Sequence, residues 1–87
     1  MKMNMEKDLY LTKDLFESAF LYASHKTLSG LKKDNHFYWF IFEDRQGCIK
    51  LIDSFWRKEA TVNAKEYADA LRSLKDRLFA LKGGSGA

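Results

Sequence analysis

Between Thr12 and Ser24 the apolar residues fall at positions 15, 16, 19, 20, 22 and 23. That spacing is one broad helical face, so a first helix is expected over 12–24, starting near Thr12 or Lys13. The residues just before it, Leu9, Tyr10 and Leu11, read equally as a short strand or as a backward extension of that helix. Two β-rich segments, KTLSGLKK and HFYWFIFE, then flank Asp34 and Asn35. Asp and Asn tolerate the positive φ of tight turns, so the pattern predicts a hairpin. With Asp34 and Asn35 as a two-residue loop, Lys33 faces His36, Leu31 pairs with Tyr38, Gly30 with Trp39 and Leu28 with Ile41.

Asp44 next supplies a side-chain cap for a second helix running through Cys48, Leu51, Ile52, Phe55 and Trp56, with a break from Arg57 to Thr61. Asn63 stands three residues before Glu66, with Val62 before the cap and Tyr67 four after it. This joins an Asx capping box to a hydrophobic staple and opens a third helix over 64–82. Along it Tyr67, Ala70, Leu71, Leu74, Leu78 and Leu81 form one stripe. The fold class expected is α+β: an N-terminal helix, an antiparallel β-hairpin, and two C-terminal helices packed on the hairpin.

Strand geometry sends Tyr38, Phe40 and Phe42 to one face of the hairpin and Phe37, Trp39 and Ile41 to the other. Both faces are therefore apolar, whereas a half-exposed strand alternates with polar residues. Either the strand is covered twice, with the first helix on one face and the other two helices on the opposite face, or it presents a binding face. Pairing with a second copy would bury the spare face and remove an exposed edge, so a homodimer is expected. In the register above, the Phe37 and Trp39 face also receives Lys26, Leu28, Gly30 and Lys32, with Gly30 leaving room above the Trp39 indole.

Composition narrows the class. The chain has 87 residues, of which 46% are hydrophobic and 15% aromatic, enough for one folded domain, expected over 9–82. Residues 1–8 are expected to be a flexible N-terminus, and 83–87, GGSGA, a flexible linker or tag remnant. A single Cys excludes an internal disulfide framework, and no apolar run approaches the roughly 20 residues of a membrane span, so a cytoplasmic protein without membrane contact is expected. The net charge of +3 permits a nucleic-acid partner without requiring one.

No enzyme is expected. The donors for metal or acid–base chemistry are His25, His36, Cys48 and carboxylates scattered among lysines. In the expected hairpin His25 lies near the open end and His36 beside the turn, about eight strand positions apart at roughly 3.3 Å each, too far to share a metal. Cys48 falls on the apolar face of its helix and reads as a small buried hydrophobe. Gly30 and Gly47 are isolated, so no phosphate-cradling glycine motif is present. No catalytic residue, metal ligand or cofactor is assigned.

The segments YWFIFED, FWRKE and EATVNAKEYADALRSLKDRLF carry a resemblance to a small uncharacterised bacterial family with the arrangement DLxLxxFLxA, WFxFED, a helix ending FW, and ATVNAKxYADALRSLKDxxF. The likeness covers about residues 14–79, and in its first block Glu17 and Ser18 depart from the more apolar pattern. It implies a compact standalone α+β domain of bacteria or their mobile elements. It implies no activity and no functional residues.

The function expected is a nucleic-acid-binding module preferring single-stranded DNA or RNA, with Phe37 and Trp39 stacking bases and Lys26, Lys32 and Lys33 meeting phosphates. Lys65, Arg72 and Lys75, with Lys82, line one flank of the third helix as a secondary basic surface. Lys65 with Asp69, and Arg72 with Asp76, have the four-residue spacing of ordinary intrahelical ion pairs, the plainer reading of that flank. The rival function is a protein-interaction adaptor, or an accessory protein of a phage or mobile element, using the same aromatic face. A purely structural homodimer, with both strand faces buried, is the third class.

Overall fold

The computed structural model describes residues 8–82. The expected flexible ends therefore lie outside the described residues, apart from Asp8. Six elements follow in order: β1 (Leu9–Thr12), α1 (Leu15–Ala23), β2 (Leu28–Asp34), β3 (Phe37–Glu43), α2 (Arg45–Trp56) and α3 (Ala64–Leu81). The fold is α+β, a three-stranded antiparallel sheet in the order β1-β3-β2 combined with three helices.

Leu9–Thr12 form a strand and not the start of the helix, pairing Leu9 with Glu43 and Thr12 with Phe40. The chain leaves β1 because Thr12 and Asp14 act as a stop and a start. Thr12 Oγ1 accepts from the Asp14 N–H at 3.1 Å, and Asp14 Oδ1 accepts from the Glu17 N–H at 2.9 Å as the N-cap of α1. The helix thus begins at Leu15, later than the apolar spacing alone suggests.

The β2–β3 register differs from the one expected. Asp34 pairs with Phe37, Lys33 with Tyr38, Lys32 with Trp39, Leu31 with Phe40 and Gly30 with Ile41. The loop is Asn35 and His36, with Asn35 taking a φ of 56°. Asp34 stays in the strand, where its Oδ2 accepts the Trp39 indole N–H at 3.1 Å. A slip of two positions keeps each side chain on its face. A bulge between Leu28 and Gly30 then turns Leu28 toward Phe42 and the core.

All three helices contribute to one core. Phe40 and Phe42, 1% and 0% exposed, pack in a single cluster with Phe20 and Leu21 of α1, Cys48 and Ile52 of α2, and Ala70 and Leu74 of α3. This overturns the arrangement with helices on opposite faces of the hairpin. The reason lies in α1, which is buried on almost every side: Ser18, Ala19, Phe20, Leu21 and Ala23 are all buried. It packs against both other helices and β1, so one layer of helices covers one side of the sheet.

Both C-terminal helices carry the expected caps. Asp44 Oδ1 accepts from the Gly47 N–H at 3.1 Å, and Asn63 Oδ1 from the Glu66 N–H at 2.9 Å. Among the described residues no helix is long and apolar enough to cross a membrane.

Candidate functional site

The second face of the sheet carries the candidate site. On it the central strand presents Phe37, Trp39 and Ile41, and β1 adds Leu9 and Leu11, the latter opposite Ile41. None of these five side chains packs on the core cluster. Leu11 is 43% exposed, and the three β3 residues are half-buried by one another and by the flanking strands.

Trp39 is the centre of this surface. Lys32 lies directly across from it on β2. Phe37 meets it edge to face, with ring centroids 5.5 Å apart. The Asp34 carboxylate accepts its indole N–H, which fixes the ring in the plane of that bond. On the β1 side the chain continues into Lys13, whose Nζ stands 4.6 Å from the centroid of the Phe37 ring, within cation–π range. Cations therefore flank the aromatic row on both sides. Gly30 pairs with Ile41 and not with Trp39, and a Cβ placed on it would meet nothing within 4 Å. The open space it creates lies over Ile41.

The expected site residues separate into three groups. Lys32, Phe37 and Trp39 come together on the open face. Lys33 pairs with Tyr38 and so belongs to the opposite face, exposed at the strand end. Lys26 lies before β2, in the connection from α1, with its Nζ 2.6 Å from Asp44 Oδ2. That ion pair, followed by the Gly47 N–H, pulls the Asp44 carboxyl below its ordinary value of 3.8. Lys26 thus fastens the start of α2 and is remote in register from Trp39.

On α3, Lys65 pairs with Asp69 at 2.9 Å, as expected, but Arg72 turns to Asp69 at 3.5 Å instead of Asp76. Lys75 is exposed beside Asp76 in a shallow groove that Arg72 also lines. This flank is a mixed-charge surface.

Three features lie beyond the sequence pattern. Lys13, at the expected helix start, stands over Phe37. Asp34, in the expected loop, anchors Trp39. Glu17, a departure from the apolar family pattern, gathers three neutral donors: Thr12 Oγ1 at 2.9 Å, Tyr10 Oη at 3.2 Å and Trp56 Nε1 at 2.6 Å. It ties β1 and α2 to α1. Burial and then the Glu17 carboxylate push the Tyr10 hydroxyl up to about 12. Cys48 is fully buried, its thiol donates to the Glu43 carbonyl at 3.4 Å, and burial raises its pKa. Among the described residues no group of three or more His, Cys, Asp or Glu side chains is arranged to hold a metal.

Together these features define a class: a small α+β domain whose three-stranded sheet is backed by helices on one face and leaves an aromatic row on the other. The chain belongs to the family described as a domain of unknown function, DUF5659, whose model matches residues 7–80. This agrees with the resemblance to a small uncharacterised family. No curated protein and no solved structure matches the chain.

Proposed function

We propose that the protein is a non-enzymatic binding module for single-stranded DNA or RNA, using the open sheet face. One observation carries the reading: Trp39, on the central strand, lies outside the core with Lys32 directly across from it and Lys13 over the neighbouring Phe37 ring. A base stacked on such a ring contributes about 1–3 kcal/mol, and flanking ammonium groups suit the phosphates on either side of it. Trp39 and Lys32 are the first contacts. Phe37 becomes a second platform once the Lys13 amine turns from its ring toward a phosphate.

A second reading has its own support. Leu9, Leu11 and Ile41 extend the aromatic row as aliphatic surface, which suits a protein partner, as an adaptor or as an accessory protein of a phage or mobile element. A second copy is one such partner. The sheet edge offered by β2 carries Lys32, Lys33 and a bulge, devices that discourage strand pairing, so a homodimer would form through the open face.

Salt dependence separates the readings. Fluorescence anisotropy with labelled single-stranded DNA and RNA should show affinity falling with ionic strength, with a log–log slope of about −0.7 for each phosphate neutralised. Affinity insensitive to salt, or no binding at low salt, would refute the nucleic-acid reading. Light scattering on the same sample tests the homodimer.

A further inference from the structure

We propose that a notch at the hairpin tip is an anion site for a phosphate monoester, and that its occupant is the terminal phosphate of the strand bound on the open face; the identity of the occupant rests on the nucleic-acid reading. The notch lies where three distant parts of the chain meet: Lys13 after β1, His36 in the β2–β3 loop, and Lys82 at the end of α3. Its volume is 130 Å³, room for a phosphate group, and its apolar wall includes Leu78.

The charge pattern sets it apart. Lys13, His36 and Lys82 line it and no carboxylate does. The cleft beside His25, by contrast, is lined by Glu66 and Asp69, and the groove on α3 sets Arg72 and Lys75 against Asp76. Two further cavities each hold one cation, Arg77 or Lys58. Among the described residues, neither Lys13 nor Lys82 is within ion-pair distance of a carboxylate. His36 offers a ring N–H in either protonation state. The C-terminal carbonyls of α3 oppose an anion, but the Tyr38 hydroxyl donates to that of Leu81 at 3.3 Å and so engages one of them.

A terminal phosphate suits a notch lined by three donors better than a phosphate within a strand does. It has three unesterified oxygens and close to two negative charges near neutral pH, against two oxygens and one charge for a diester. Continuity with the open face gives the connection. Phe37 lines the notch and also packs on Trp39, and the Lys13 amine that caps the Phe37 ring is itself a notch residue. A strand with a base on Trp39 is thereby led toward the notch.

The test uses the full chain and short single-stranded DNA carrying a 5′-phosphate, a 3′-phosphate or neither, labelled at the opposite end and titrated by anisotropy at low salt. A phosphate at one end is expected to tighten binding about tenfold, the effect of one charge-assisted contact. Lys82→Gln should abolish that ratio and leave the affinity of the unphosphorylated strand nearly unchanged. Equal affinity of all three strands overturns the proposal while leaving strand binding intact. If no strand binds, the terminal-phosphate proposal falls with the nucleic-acid reading. Titration with inorganic phosphate, followed by amide NMR, then decides the anion site alone: shifts confined to His36, Phe37, Leu81 and Lys82 support it, and their absence refutes it.

Discussion

His25 and Lys58 show how helix ends are made here without glycine. Each takes a left-handed backbone, with φ of 71° and 64°, one residue past the C-caps Ser24 of α1 and Arg57 of α2. The residue that follows each completes the helix-end bond pattern: Lys26 N–H to the Leu21 carbonyl at 3.0 Å, and Glu59 N–H to the Ser54 carbonyl at 2.9 Å. The loss of apolar periodicity marks both stops in the sequence, at Ser24 and at Arg57, although the usual glycine signal is missing. Tyr10 is the residue whose chemistry the fold alters most. Its protonated form is favoured in the folded protein, with the pKa raised from 10.0 to about 12 by burial and by Glu17. The stability this group contributes is complete below pH 10 and is lost as pH rises toward 12. Denaturant unfolding across that interval should therefore show a steeper alkaline decline for the wild type than for Tyr10→Phe. Identical declines would mean that Tyr10 ionises alike in the folded and unfolded states.

The helix start at Asp44 joins three elements. Asp44 has a φ of 68°, accepts the Gly47 N–H, and pairs with Lys26 from the connection between α1 and β2. Asp44→Ala loses the cap and the ion pair and places a Cβ residue without local hydrogen bonds in the left-handed region, so it should lower stability measurably. Asp44→Gly loses the same contacts but relieves the backbone, and should cost less than half as much. Equal losses in urea unfolding would contradict this account of the cap. The cap was legible because its chemistry is local. Its partner Lys26 was not, since the ion pair joins residues 18 apart in sequence. The same division holds elsewhere. The α3 boundary, built from Asn63 and Glu66, emerged as read. The status of β1 depended on pairing with β3, and the hairpin register depended on whether Asp34 or Asn35 opened the turn. Local propensity leaves those tertiary choices open.

Alternation along β3 revealed the two faces, and both were apolar, so the core face was not legible. The choice is made by α1, whose nearly complete burial draws all three helices to the side of Phe40 and Phe42. Phe37, Trp39 and Ile41 are left as the outer surface, where the chain places Lys13 and Lys32 beside aromatic rings. Aromatic concentration in one strand thus pointed to the right element, while two of its three proposed lysines, Lys26 and Lys33, face elsewhere. If the open face binds single strands by stacking, Trp39 carries the largest share, and Trp56, 59% exposed but held by Glu17 on the helical side, carries none. Anisotropy titration of single-stranded DNA at low salt with Trp39→Ala, alongside Trp56→Phe, tests this directly. Trp39→Ala should weaken binding by about 1–3 kcal/mol, roughly 5- to 150-fold, with Trp56→Phe unchanged; undiminished binding by a folded Trp39→Ala protein would contradict the stacking face.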